Sequence, residues 1–387
     1  MNRRDFLKSI AAAGAGVVGS GETFAKAVPA KTPPEGMQGE HLVYTWKGTP
    51  FEIGFQHGQT LRDPIMKEAG PALAAAAKAR GSEANALDFV LATYEPFFRD
   101  HAPMALEEVQ GIARGSGLSY PYAFFAATRD GIRVPAVEAA NCTALGCGKA
   151  ATTGGKVLMG QNKDTTSTLD RYRIMRLGYH SGRRMILLNY PGWIANIGLT
   201  SDGVAFTGNS LYGQTYVGDV MPFCLVKRLI LEKSSVAEVL AAIPKYPFDN
   251  GCLTIGDATG HLVCMEVVNG QVNVRDISDE AFGHANTMLV EGFKPMDTSA
   301  QVCPSSPVRQ RNAQKDLDAH RGQLTVAKMQ QLLGNHAEYP LSICRHREQA
   351  GQESTTASFV ADLTDREMHI AIGNPCVAPY RRYTFDF

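Results

Sequence analysis

The stretch Glu138-Ala139-Ala140-Asn141-Cys142-Thr143-Ala144-Leu145 divides the chain. A leader and a helical segment precede it, and a long run of strands and turns comes after it. A cysteine at such a seam, between small and polar residues, could become a new N-terminus. An N-terminal cysteine joins nucleophile and base in one residue, because its own α-amine takes the thiol proton. A free α-amine has a pKa of about 8, whereas a peptide nitrogen is not basic. A buried small hydrophobe is the plainer reading of any cysteine, so the surrounding residues decide. Asp164 is either a turn aspartate before Thr165-Thr166-Ser167 or a carboxylate placed to hold an ammonium. Asn250 is either a turn residue in Asp249-Asn250-Gly251 or an amide donor to a developing oxyanion. Arg345 is either solvated or a partner for a nearby carboxylate. Thr143 and Asn162 are weaker supporting candidates. His57, His284 and Asn286 offer a different arrangement, in which His284 acts as the base of a papain-like pair.

The composition narrows the class. The chain has 387 residues with 38 Lys plus Arg against 38 Asp plus Glu, so nothing electrostatic favours a nucleic-acid partner. A hydrophobic content of 44% allows a full globular core. No apolar run is long enough for a stable membrane anchor, and there is no internal repeat. None of the eight cysteines forms a CxxC or stands at zinc-site spacing from the histidines, so no metal or organic cofactor is implied. Disulfides remain open, since an exported protein can form them.

The first residues read as an export signal. Asn2-Arg3-Arg4-Asp5-Phe6-Leu7-Lys8 is a twin-arginine motif, Ile10 to Val18 is weakly apolar, and Ala25-Lys26-Ala27 is a small-x-small cleavage site. The expectation is a Tat leader over residues 1–27 and a periplasmic protein that meets the Tat machinery on its way out. Gly14-Ala15-Gly16-Val17-Val18-Gly19 matches a dinucleotide fingerprint but comes after no strand and lies within the leader, so it is rejected.

The pattern predicts a strand over 41–46 and a turn into a helix at 48–58, whose glycines permit close backbone packing. Helical spacing continues to about residue 128. After Cys142 the period becomes two, with strands over 157–162, 172–179, 185–190, 194–199 and 204–208. Helices are expected over 223–232 and 236–243, then strands over 252–255 and 261–267 and another near Val272. A helix over 326–333 and a hairpin over 357–372 close the chain. Strands separated by helix pairs predict sheets covered by helices, an α+β class.

The order of motifs resembles the cysteine N-terminal-nucleophile hydrolases, and among them the acyl-CoA:6-aminopenicillanate (isopenicillin N) acyltransferase family. The resemblance rests on GTPFEIGFQHGQ, LEEVQGIARGSGL, the Cys142-Thr143 start, GKVLMGQNKD, SDGVAFTGNSL, LTIGDATG, SICRH and MHIAIGNPC, spread over most of the chain. Fungal members usually have Gly before the nucleophile, where this chain has Asn141. Bile-salt hydrolases, a related branch, have Arg where this chain has Gln161, which argues against that activity. The resemblance implies a four-layer αββα sandwich made as a precursor and cut between Asn141 and Cys142. The pieces would be an α chain, 28–141, and a β chain, 142–387, that fold as one unit. It further implies that Asp164 orients the freed α-amine, that Asn250 serves the oxyanion and that Arg345 lies near the nucleophile. The expected substrate is a small molecule with a linear amide, such as an N-acyl amino acid or peptide, and an exported location makes acyl-CoA a poor donor. Two alternatives stand: an unprocessed cysteine hydrolase with a His base, and a non-catalytic periplasmic binding protein on the same fold.

Overall fold

The computed structural model describes residues 32–128, 141–214, 221–243, 248–349 and 351–387. The expected leader, its cleavage site and residues 138–140 of the seam lie outside the described residues. Residues 32–387 pack as one unit.

Strand β1 (Val43–Gly48) leads into four helices, α1 (Pro50–Arg80), α2 (Glu83–His101), α3 (Pro103–Ser116) and α4 (Tyr120–Thr128). A capping box starts α1: the Thr49 hydroxyl accepts from the Glu52 amide, the Glu52 carboxylate accepts from the Thr49 amide, and Pro50 stands at the first helical position. Helices α1 and α3 touch backbone to backbone. A Cβ added at Gly54 would lie 1.9 Å from the Glu108 carbonyl, and one at Gly111 would lie 2.1 Å from the Phe51 carbonyl. The expected close packing at these glycines is therefore present.

Strands β2 (Asn141–Cys147), β3 (Leu158–Thr165), β4 (Arg173–Tyr179), β5 (Arg184–Asn189), β6 (Ile197–Thr200) and β7 (Ala205–Ser210) come next. Helices α5 (Phe223–Leu231) and α6 (Val236–Ala242) precede β8 (Gly251–Gly256), β9 (Leu262–Val268), β10 (Gln271–Asp276) and β11 (Ala281–His284). Helices α7 (Ser299–Val302), α8 (Ser305–Ala319) and α9 (Val326–Leu333) lead to β12 (Ser354–Asp362), β13 (Glu367–Ile372) and β14 (Arg381–Tyr383). The sequence pattern does not predict β11, α7 or α8. Helix α8 carries Pro307 and a mostly polar sequence, so it lacks a clear apolar stripe; Pro307 is tolerated in the first turn, where backbone N–H groups have no intrahelical partner.

Two sheets result among the described residues. The first runs β1-β4-β5-β6-β7-β8-β9-β10, with β1 parallel to β4 and the other neighbours antiparallel. The second, antiparallel throughout, runs β11-β2-β3-β12-β13-β14. Three apolar cores separate four layers. Met175, Leu187, Phe206 and Leu253 face Ile53, Val109, Phe124 and Leu229 of the first helical layer. The opposite side of that sheet, Ile174, Ile186 and Leu199, packs against Met159, Phe359 and Ile370 of the second sheet. Leu145, Leu158 and Val360, on the outer side of the second sheet, meet Leu317, Met329 and Leu333 of α8 and α9. This is the αββα sandwich: the inner strands of each sheet are covered on both faces and buried along most of their length, while the edge strand β10 is exposed. No helix among the described residues is long and apolar enough to cross a membrane.

Candidate active site

Cys142 is the second residue of β2, 1% exposed, and its register partner on β3 is Lys163. Its backbone N–H donates to Asn286 Oδ1 at 3.0 Å. Its carbonyl accepts from Asn209 Nδ2 at 3.1 Å and from an Arg309 guanidinium nitrogen at 2.5 Å. Arg309 also donates to Thr143 Oγ1 at 2.9 Å and to Asn286 Oδ1 at 2.8 Å. The other end of the Asn286 amide donates to the Ser210 carbonyl at 2.9 Å. Three side chains from separate elements thus fix the backbone of one cysteine. Asn209 comes from β7 in the first sheet, Asn286 from just beyond β11, and Arg309 from α8. Fully buried polar groups need such partners, and Arg309, itself wholly buried, satisfies its guanidinium largely on this site.

The residue before Cys142 is also held. Asn141 Nδ2 donates to both carboxylate oxygens of Glu353 at 2.7 Å, and Asn141 Oδ1 accepts from the Tyr212 hydroxyl at 2.9 Å. Glu353 in turn forms an ion pair with Arg345.

Asp164 is fully buried and pairs in register with Asn141. Its Oδ1 accepts from the Thr355 hydroxyl at 2.7 Å, while Oδ2 is buried without a hydrogen-bond partner among the described residues. Burial raises its carboxyl above the usual range, against the pull of Arg309 and Arg345. Burial likewise pushes the Cys142 thiol up; the Lys163 ammonium opposes the rise, the Asp164 carboxylate adds to it, and Arg309 opposes it. A thiol held up in this way is not ionised at rest and needs a proton acceptor before it can attack.

The expected candidates therefore sort in three ways. Cys142, Asn141, Thr143, Asp164 and Arg345 stand together. Asn162 lies one strand position from this group, but its Nδ2 donates to the Leu333 and Ile343 carbonyls at 2.8 and 3.1 Å, so it ties α9 and the loop after it to β3. Asn250 requires a correction. Its Nδ2 donates to the Gln214 carbonyl at 2.9 Å and its Oδ1 accepts from the Asn269 amide at 2.8 Å, so these contacts occupy both ends and neither is to Cys142. The amides on Cys142 are those of Asn209 and Asn286. Asn209 lies within the SDGVAFTGNSL motif, and its membership of that motif was the one signal the sequence offered.

The histidines are occupied elsewhere. His284 Nδ1 lies 2.6 Å from the Ala285 carbonyl and Nε2 lies 2.8 Å from Glu266 Oε1. Burial works to lower His284, but the hydrogen bond and charge of Glu266 keep its pKa above the ordinary value, and both ring nitrogens lie against oxygen atoms rather than Cys142. The ring leaves no nitrogen free for a thiol proton. His57 accepts from the Gly192 amide at 3.0 Å and stacks on Trp46. Gln161, at the bile-salt hydrolase arginine position, bridges the sheets: its amide donates to the Gly208 carbonyl and accepts from the Gly208 N–H at 3.2 Å, beside Asn209.

The chain is similar to known proteins over most of its length. The family model described as acyl-coenzyme A:6-aminopenicillanic acid acyl-transferase matches residues 151–376. The acyl-coenzyme A:6-aminopenicillanic-acid-acyltransferase 40 kDa form of Emericella nidulans is 26% identical over 344 residues, which cover 86% of this chain and 93% of that protein. Among solved structures, a variant of conjugated bile acid hydrolase from Clostridium perfringens has 15% identity and a TM-score of 0.42, covering 63% of this chain and 97% of the other. Penicillin V acylase from Agrobacterium tumefaciens has 12% identity and a TM-score of 0.36, covering 60% and 74%. With more than half of its residues matched by the family model, the chain belongs to the acyl-coenzyme A:6-aminopenicillanic acid acyl-transferase family, a family of acyl-transfer enzymes.

Proposed function

We propose that the chain is a self-processing amide hydrolase whose working nucleophile is Cys142 as the N-terminus of a β chain. The observation that carries this reading is the bond from the Cys142 N–H to Asn286 Oδ1. In the uncut chain that nitrogen is an amide and cannot accept a proton. In the proposed processing step, the thiol sulfur attacks the Asn141 carbonyl carbon, the peptide C–N bond breaks, and an ester to sulfur replaces it. Water then splits the thioester, giving an Asn141 carboxylate and a free Cys142 thiol and α-amine. Asn286 keeps accepting one N–H, so the new amine stays oriented. The grip of Glu353 and Tyr212 on the Asn141 side chain would hold the scissile peptide while the sulfur attacks.

In turnover the α-amine takes the thiol proton and the thiolate attacks the substrate amide carbonyl. The ammonium returns the proton to the departing amine, and water hydrolyses the thioester. Asp164, with its unpaired buried oxygen, stabilises the ammonium, and Arg345 and Arg309 keep the carboxylate from carrying its charge alone. The export leader favours hydrolysis over transfer from acyl-CoA, and a periplasmic location, because a thioester of a large cytoplasmic cofactor would not be at hand there. The substrate class is a linear N-acyl amide.

The direct test is to trap the acyl-enzyme. Brief mixing with an excess of N-acyl amino acid p-nitroanilides, then acid quench and mass analysis, should show the acyl mass on the fragment that begins at Cys142. An acyl group found on another residue, or release of amine with no need for Cys142, contradicts the mechanism.

A further inference from the structure

We propose that His336, Cys344, His346 and Cys376 form a tetrahedral zinc site beside the catalytic centre. Their donor atoms, two thiol sulfurs and two imidazole nitrogens, all lie within 4.8 Å of one another. His336 Nε2 and His346 Nε2 are 3.1 Å apart, and the Cys344 and Cys376 sulfurs are 3.7 Å apart. His346 Nε2 stands 3.6 Å from the Cys344 sulfur and 3.2 Å from the Cys376 sulfur. A zinc ion with ordinary Zn–S and Zn–N bonds requires edges of about 3.8 Å between sulfurs, about 3.3 Å between nitrogens and about 3.6 Å between unlike atoms. The four measured edges, of the six in a tetrahedron, fall within about 0.4 Å of these values, and the other two are at most 4.8 Å.

A disulfide and a purely hydrogen-bonded cluster both fit less well. A Cys344–Cys376 disulfide needs the sulfurs at about 2.05 Å. Hydrogen bonding alone leaves two imidazole nitrogens and two weak thiol donors directed at one point with few protons to share. Zinc resolves both problems. Two thiols lose their protons, two neutral imidazoles give lone pairs, and the complex carries no net charge, which suits a site where Cys344 and His346 are buried and only Cys376 is exposed. The separations in sequence hide the site. His336 comes after α9, Cys344 and His346 lie in the loop before β12, and Cys376 comes after β13, so no compact zinc-finger spacing exists.

The position gives the metal a purpose. Arg345 lies between two ligands, and its side chain pairs with Glu353 and acts on the Asp164 carboxylate. The Arg345 backbone is held by the Thr355 hydroxyl at 2.9 Å and by Asn374 Nδ2 at 2.7 Å. Zinc would clip the loop to the end of β13 and so fix Arg345 and, through Glu353, the grip on Asn141. The site itself stands whether or not the chain is cut.

The test uses the full chain, produced with zinc supplied and purified under reductant. Plasma mass spectrometry should find about one zinc per chain. Replacement by cobalt(II) should give the visible absorption of a tetrahedral centre with thiolate charge transfer. Cys376→Ser and His336→Ala should each lose most of the metal. Chelation of the wild type should lower Tm, and zinc should restore it, which repeats the comparison without any substitution. A wild type that takes up neither zinc nor cobalt while its thiols are reduced overturns the proposal. So does zinc bound equally by both variants. A metal-free protein whose intact mass is two hydrogens low, with Cys344 and Cys376 in one disulfide-linked peptide, also overturns it.

Discussion

At the scale of residues, the site depends on side chains that hold the Cys142 backbone. Asn209, Asn286 and Arg309 reach Cys142 from 67, 144 and 167 positions away in sequence. Losing one hydrogen bond to a charged or polarised partner costs about 1.5–3 kcal/mol. Asn286→Ala or Asn209→Ala should therefore reduce kcat about 10- to 100-fold, with slower processing. Asn250→Ala removes only turn contacts and should reduce kcat less than about threefold by the same scale. Single-turnover assays on the purified variants rank the three, and an Asn250→Ala loss equal to that of Asn209→Ala would overturn the assignment. That Cys142 and Asp164 stand together was legible because they lie on two consecutive strands of one motif-bearing stretch. The amides were not, because a strand asparagine and a turn asparagine look alike until the sheets are stacked. Arg309 was hidden further, since its helix shows no apolar stripe.

At the scale of elements, α1 and α3 meet through glycines, and the first sheet receives them. Gly111→Ala places a methyl 2.1 Å from the Phe51 carbonyl, which the rigid helix backbone cannot yield to. Overpacking of this kind costs about 1–3 kcal/mol, and urea unfolding should register the loss as a lower midpoint. The sequence showed that the glycines of 48–58 permit close packing, but not that α3 is their partner, because the pairing of helices is not written in either one alone. The buried His57 makes a second prediction. Burial lowers its pKa from 6.5 to about 3. The unfolded chain thus binds a proton that the folded chain does not between these values. Stability is full above pH 6.5 and falls as pH drops toward 3, with this residue contributing about 1.4 kcal/mol per pH unit. His57→Gln should flatten the acid side of the stability profile, and an unchanged slope would show that the ring titrates normally.

At the scale of the molecule, the segment before Cys142 is part of the fold. Strand β1 pairs in parallel with β4, helices α1 to α4 share a core with the first sheet, and Glu108 of α3 forms a buried ion pair with Arg228 of α5 at 2.8 Å. Cleavage at Asn141–Cys142 would sever the chain without opening the core. The two pieces should then elute together on gel filtration and separate only in denaturant; dissociation in native buffer would contradict the single-unit fold. That helices cover the sheets was legible from strand and helix order, and the αββα layering from the family resemblance, but the sheet orders were not, since pairs such as β1 with β4 join residues far apart in sequence. The most direct measurement is the intact mass, in denaturant, of the purified wild type beside Cys142→Ala. The account predicts two chains in the wild type, the larger beginning at Cys142, and one uncut chain in the variant. A single uncut wild-type chain that still turns over substrate would contradict it, because the α-amine would then never exist.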